Sequence, residues 1–183
     1  MPTEYNLNIG IEARFLQKKN LILQTTYLRT PLGTAKITGD KNGIQSICLL
    51  DEGLVSEDLM QLSTPFCLQE CVVQLEEYFK GNRDSFNLTV NPKGTVFQIK
   101  VWKALLKIKY GKTKSYLEQS KTLGDVKAIR AVATANGKNP LWIVIPCHRV
   151  IGSDGSLTGY AGGLWRKAWL LNHENPVKQQ SLF

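Results

Sequence analysis

Hydrophobic and polar positions mark out two halves of different character. From Leu21 to Arg29, over Thr34–Thr38 and again over Ile44–Leu50, the chain reads as strands. Pro31-Leu32-Gly33 turns the first strand into the second. Asn42-Gly43, the strongest short hairpin signal, turns the second into the third. The period then lengthens: Phe66, Cys67, Val72, Leu75 and Phe79 sit on an amphipathic helix from about Pro65 to Lys80, stopped by Gly81. A short strand over Phe86–Val90 leads to the break at Asn91-Pro92-Lys93-Gly94. The expected divisions are an N-terminal extension (1–20), an α/β domain (21–92), a second domain (93–174) and a tail (175–183).

Beyond the break the pattern is mostly helical. Thr95 is placed to cap a helix over Val96–Ile108, with Phe97, Val101, Leu105 and Ile108 at helical spacing. A short helix near Tyr116–Lys121, a turn at Leu123-Gly124, and a helix running from Asp125 to Gly137 form a helix-turn-helix candidate. The second of these helices carries small residues (Ala128, Ala131, Thr134, Ala135) that allow close approach to a groove or, equally, close packing on the core. The apolar run Leu141–Ile145 reads as a buried strand, and a last helix over Leu164–His173 has an apolar stripe at Leu164, Ala168 and Leu171.

Composition sharpens this picture through charge. Residues 1–92 hold 8 Lys/Arg against 11 Asp/Glu, whereas residues 93–183 hold 15 against 4; the balances of −3 and +11 sum to the net +8. Cations segregated on one half point to a polyanion there, with nucleic acid foremost. No apolar run approaches the roughly 20 residues of a bilayer span, and the start lacks a leader pattern, so a cytoplasmic address is expected. The four cysteines (Cys48, Cys67, Cys71, Cys147) include no Cys-x-x-Cys pair, and there are only two histidines. Neither a zinc site nor a disulfide framework is expected, and no cofactor.

Chemistry concentrates at Pro146-Cys147-His148-Arg149-Val150. A thiol beside an imidazole, where an apolar strand gives way to a Gly-rich segment, supplies a nucleophile and a proton acceptor together. On the pair alone, a small buried hydrophobe beside a satisfied histidine is as good a reading.

The second half resembles the O6-alkylguanine-DNA alkyltransferases (methylated-DNA–protein-cysteine methyltransferases). The resemblance rests on Ser115-Tyr116, Ala128-Ile129-Arg130-Ala131-Val132, Asn139-Pro140, the pentapeptide at Cys147, Gly159-Tyr160-Ala161-Gly162-Gly163, and Leu170-Leu171-Asn172-His173-Glu174. A weaker echo covers Leu28–Leu50. It implies a ribonuclease-H-like N-terminal domain, with a small antiparallel sheet plus helix. A mostly α, winged-helix-like domain with the helix-turn-helix would follow. It also implies irreversible, single-turnover transfer of an alkyl group from guanine O6, and from thymine O4, to Cys147.

In the family the cysteine is activated through a water by a histidine, here His148, which a glutamate, here Glu174, orients. By position, Tyr116 matches the tyrosine that helps rotate the nucleotide, and Arg130 matches the residue that fills the space left by the flipped base. Asn139 matches the tie between helix-turn-helix and active-site turn. Tyr160, Ala161, Gly162, Trp142, and the carbonyls of Cys147 and Val150 match the base pocket, and Lys127 and Lys138 are candidate phosphate contacts. The partner implied is double-stranded DNA carrying O6-alkylguanine, bound by a monomer. A non-catalytic lesion-binding protein on the same scaffold is the alternative; the presence of Cys147 argues against it.

Trp142 departs from the small or kinked residues common at its position, and narrows the expected pocket. The chain ends on Gln179-Gln180-Ser181-Leu182-Phe183, which resembles peptides that dock on the DNA sliding clamp; Gln179, Leu182 and Phe183 are the expected contacts.

Overall fold

The computed structural model describes residues 22–51 and 53–175. The N-terminal extension (1–20) and the tail residues Gln179, Leu182 and Phe183 lie outside the described residues. Three antiparallel strands, β1 (Gln24–Thr30), β2 (Gly33–Asp40) and β3 (Gly43–Leu50), pair in chain order. Both hairpins are closed by their own side chains. Thr30 Oγ1 donates to the Gly33 carbonyl at 2.6 Å, and the Asn42 N–H donates to Asp40 Oδ1 at 2.7 Å. Gly43 has φ +128, and a Cβ there would stand 2.6 Å from the Thr89 carbonyl oxygen, so only glycine fits.

Alternation along the strands buries Ala35, Ile37, Ile44 and Ile47 on one face. After the short helix α1 (Glu57–Met60), helix α2 (Phe66–Phe79) covers that face with Leu68, Cys71, Leu75 and Tyr78. Each fully buried Leu or Ile contributes on the order of 2 kcal/mol.

Phe86–Val90 is not a strand. The buried Gln74 side chain takes over the pairing, donating to the Asn87 carbonyl at 3.0 Å and accepting its N–H at 2.9 Å, and only Val90 bridges to Ile44. Beyond it, α3 (Val96–Leu105) starts at a capping box formed by Thr95 and Gln98. A two-stranded parallel pair, β4 (Lys114–Ser115) with β5 (Val150–Ile151), frames the helix-turn-helix. That motif consists of α4 (Tyr116–Leu123), capped by Ser115 with Glu118 and stopped by Gly124 at φ +95, then a 3-10 turn (Val126–Ala128) and α5 (Ile129–Gly137). Two hydrogen bonds between buried Gln119 and Asn136, at 3.2 and 2.7 Å, join its helices. Trp102 Nε1 donates to the Ala135 carbonyl at 2.8 Å and ties α3 to α5.

Leu141–Ile145 is buried but is not a strand. Only Leu141 bridges to Ile47, after which the chain coils tightly, with Val144 N–H on the Trp142 carbonyl at 2.8 Å and Ile143 at φ +65. The final helix, α6 (Leu164–Glu174), buries Lys167, Leu170 and Glu174, while Leu164 is 47% exposed. The expected apolar stripe is displaced because two charged side chains turn inward. Among the described residues no helix is long and apolar enough to cross a membrane.

Candidate active site

The tight turn that replaces the expected strand sets the geometry of the nucleophile. Asn139 Nδ2 donates to the Ile145 carbonyl at 2.7 Å and to Cys147 Sγ at 3.2 Å, while its Oδ1 accepts the Leu141 N–H at 3.0 Å. A residue just past the end of α5 therefore also holds the sulfur. His148 follows on the 3-10 turn Cys147–Arg149 with its side chain fully buried, and Nε2 lies 2.8 Å from Glu174 Oε1.

Glu174 is a hub. Its carboxylate receives five donors: Tyr78 Oη (2.9 Å), His148 Nε2 (2.8 Å), Arg149 Nε (2.8 Å), Arg149 Nη2 (2.9 Å) and the Gly111 N–H (3.3 Å). Burial pushes this carboxyl up, but the hydrogen bonds and charge of His148 and Arg149 outweigh that and hold it at about 2. Burial drives His148 toward its neutral form, while Arg149 sets a permanent charge against the same carboxylate. A neutral His148 whose Nε2–H donates a hydrogen bond to Glu174 has a free lone pair on Nδ1. That atom is buried and has no protein partner among the described residues.

The thiol sits in a hollow of about 50 Å³, walled by Tyr116, Asn139, Trp142, Tyr160, Ala161 and Gly162. Burial raises its pKa, against the Asn139 N–H and the charge of Lys167. The resting group is therefore a thiol that needs a base. Lys167, fully buried, donates to the Thr158 carbonyl at 2.8 Å and lies 5.6 Å from the Tyr116 ring centroid; burial lowers its pKa to about 8. Tyr116 Oη shares its one proton between the carbonyls of Thr158 and Gly159, both at 3.2 Å, so the two side chains brace the loop that closes the hollow.

Of the other cysteines, Cys71 is pushed up to about 12 by burial, and Cys48 is exposed with only a 3.9 Å contact to the Lys36 carbonyl. Larger hollows of about 630 and 230 Å³ lie away from the thiol. No metal-binding cluster of His, Cys, Asp or Glu occurs among the described residues.

Helix α5 carries the thiol turn at its C-terminal end and exposes Arg130, Ala131, Thr134 and Lys138; Lys127 is exposed just before it and Ala128 half-buried. Ala135 departs from its expected place on that face. It is buried, because the helix must present it to Trp102. Val150, also fully buried, lies in β5 opposite Lys114.

This constellation can be set beside known proteins. The 6-O-methylguanine DNA methyltransferase ribonuclease-like domain matches residues 23–92, and the DNA-binding domain of the same enzyme matches residues 96–176. The methylated-DNA–protein-cysteine methyltransferase of Methanosarcina barkeri is 43% identical over 148 residues, 80% of this chain and 94% of that protein. The chain belongs to the methylated-DNA–protein-cysteine methyltransferase family.

The constitutive family member of Bacillus subtilis is 44% identical over 155 residues, 81% of this chain and 93% of that protein. Mycobacterium tuberculosis O6-methylguanine methyltransferase aligns with a TM-score of 0.74 at 38% identity, covering 85% of this chain and 94% of that one. A second structure from that organism, in complex with DNA, aligns with a TM-score of 0.74 at 39% identity, covering 83% and 93%. The ribonuclease-like half and the DNA-binding half expected for the family are thus both present.

The structure brings Cys147, His148, Glu174, Asn139, Tyr116, Tyr160, Ala161, Gly162 and Trp142 together. Arg130, at the other end of α5, is not in the wall of the hollow. Sequence reasoning missed Tyr78, Gly111, Arg149 as the counter-ion, and Lys167. Lys167 left a trace, a lysine at a core-facing interval from Leu170 and Glu174, and Arg149 lay within the pentapeptide without its partner being visible.

Proposed function

We propose that this chain repairs alkylated DNA by taking the alkyl group from guanine O6, or thymine O4, onto Cys147, once per molecule. The observation that carries this reading is the sulfur held in a small hollow by Asn139, with a neutral histidine and an ionised, buried glutamate behind it. The thiol proton passes through a water to His148 Nδ1. The S–C bond then forms as the C–O6 bond breaks, the electron pair stays on O6, and the guanine recovers a proton as it leaves. The thioether so formed does not readily return to a thiol, which supports single turnover.

The target atom is stacked within a duplex, so the base must be rotated out at a cost of a few kcal/mol. Exposed Arg130 would fill the gap, with Tyr116 assisting rotation. The Ala161 N–H and the carbonyls of Cys147 and Val150 would read the guanine edge. Lys127 and Lys138 would meet phosphates, making affinity fall with salt.

The finer assignments are part of the same proposal. The protein acts as a cytoplasmic monomer, and its two domains join near Lys93. The tail docks on the sliding clamp through Gln179, Leu182 and Phe183; clamp capture unchanged after deletion of the last five residues would remove that last element.

The decisive experiment is intact-mass analysis after exposure to O6-methylguanine duplex. One methyl per chain on Cys147, absent in Cys147→Ser, is expected. Binding without mass gain would make the chain a lesion binder, and repeated turnover would make it a different enzyme.

A further inference from the structure

The loop that closes the thiol hollow is fastened at both ends, to different halves of the molecule. Its entry, Thr158-Gly159, is held from within the DNA-binding half by the Tyr116 hydroxyl and by Lys167. Its exit is held by Arg166, on the first turn of α6. Nη1 of that side chain donates to the Gly162 carbonyl at 2.9 Å, and Nε donates to the Leu32 carbonyl in the ribonuclease-like half, also at 2.9 Å. Tyr160 and Ala161, which wall the hollow, lie between the two fastenings.

The anchor is rigid. Leu32 is buried in the β1–β2 turn, where its N–H donates to Thr30 Oγ1 at 3.2 Å. The Trp165 ring lies against the guanidinium, 4.6 Å from its carbon to the ring centroid. Its carboxylate partner, Asp51, is exposed and 3.5 Å away, so the two carbonyls rather than an ion pair fix the side chain. A Cβ on Gly162 would come within 3.1 Å of the Tyr160 ring, so any shift of Gly162 is passed on to that wall. The remaining walls do not yield as easily: Asn139 and Trp142 belong to the tight turn, and Tyr116 to α4. A group larger than methyl is therefore accommodated chiefly by movement of residues 159–162.

We propose that Arg166 is a positioning residue that sets the adduct size this chain accepts: by bolting the pocket loop to the β1–β2 turn, it holds Tyr160 and Gly162 over the sulfur. The inference rests on the alkyl-transfer reading above and deepens it. Arginine suits the task because its planar fork spans two carbonyls at once, which a lysine ammonium on a flexible stem does not. The bond changes are those already given; Arg166 touches neither the sulfur nor the base. Small misplacements of a reacting pair are costly, up to about a hundredfold for 1 Å.

The test compares single-turnover transfer from O6-methylguanine and O6-benzylguanine duplexes by the wild-type chain, Arg166→Ala and Arg166→Lys. In Arg166→Ala methyl transfer should slow about tenfold while benzyl transfer, helped by the looser wall, falls less than about twofold, so the benzyl-to-methyl ratio rises at least about fivefold. Arg166→Lys keeps the charge but loses the fork, and its ratio should lie between the two. A ratio in Arg166→Ala within about twofold of wild type overturns the proposal. Full restoration by Lys also overturns it, because the charge would then be the active feature.

Two measurements separate positioning from general damage to the fold. Iodoacetamide alkylation of Cys147 should be no slower in either variant than in wild type; a loss there means that Arg166 supports the thiol turn itself, and sinks the idea. The Gly163 N–H, which donates to the Tyr160 carbonyl at 3.0 Å, should exchange faster in Arg166→Ala, whereas the Ile145 N–H, on the Leu141 carbonyl at 2.9 Å, should not change. Equal exchange at Gly163 in the two proteins counts against the strap even without DNA. Absence of methyl transfer by the wild-type chain would instead remove the parent reading.

Discussion

Replacing Glu174 by Gln removes one negative charge from a site where every neighbour is a donor. The carboxylate accepts from Tyr78, His148, Arg149 and Gly111. A glutamine offers one acceptor oxygen, and its NH2 must face either the Arg149 Nε and Gly111 N–H side or the Tyr78 and His148 side. Arg149, 8% exposed at its side chain, also loses its counter-charge. Breaking a buried pair in this way costs about 3–5 kcal/mol. At about 2–4 °C per kcal/mol for a chain of this size, the melting temperature should drop by roughly 6–20 °C at pH 7.

The pH dependence gives an independent check. Glu174 titrates at about 2 when folded against 4.5 ordinarily, so the folded state binds fewer protons. Its contribution is fully present above about pH 4.5 and is lost as pH falls toward 2. It amounts to about 3 kcal/mol, and the variant lacks that limb. His148, lowered by burial from its ordinary 6.5, also loses stability on acidification, but at higher pH and in both proteins. Chemical denaturation from pH 7 to pH 2.5 measures both effects. A variant within about 1 kcal/mol of wild type at pH 7, or acid limbs that superimpose, would refute the hub.

Lys167→Met should stabilise the fold at pH 7 by removing a buried ammonium, yet slow methyl transfer at least about tenfold by withdrawing the charge beside the thiol. In wild type, with a folded pKa of about 8 against 10.5, stability should climb by about 3 kcal/mol between those values, and the variant should be flat there. Asn139→Ala should cost about 2–3 kcal/mol and raise the Cys147 pKa further, read from the pH dependence of iodoacetamide alkylation; an unshifted profile would deny the amide its hold on the sulfur. With Trp142 walling a hollow of about 50 Å³, methyl adducts should be repaired faster than benzyl ones, and Trp142→Ala should narrow that gap; equal wild-type rates on matched oligonucleotides would count against it.

Legibility in the sequence followed how local the determining forces are. Hairpins β1–β3 and helices α2 to α5 were readable because turn residues, caps and periodicity act within a few positions. The expected strands at Phe86–Val90 and Leu141–Ile145 failed for one shared reason. Side chains of Gln74 and Asn139 supply hydrogen bonds that a ladder would otherwise provide, and apolar runs do not reveal such substitution. The stripe on α6 was misplaced because Lys167 and Glu174, polar by composition, occupy its buried face.

The Cys147, His148, Glu174 and Asn139 set could be read by resemblance to the family. Tyr78 could not, since nothing near it in sequence indicates a carboxylate far along the chain. Arg149 stood in plain view inside the pentapeptide, but its partner emerges only when α6 folds back on the turn.

Tyr78 links the molecule's two halves: it rises from a helix laid on the strand layer, donates to the carboxylate that fixes the histidine, and receives the His173 ring on its own carbonyl at 2.7 Å. Mechanical slack in the ribonuclease-like half is therefore felt at the sulfur. A search for chains that stay soluble but no longer protect a genome should return lesions along α2, outside the helix-turn-helix, alongside those in the pocket.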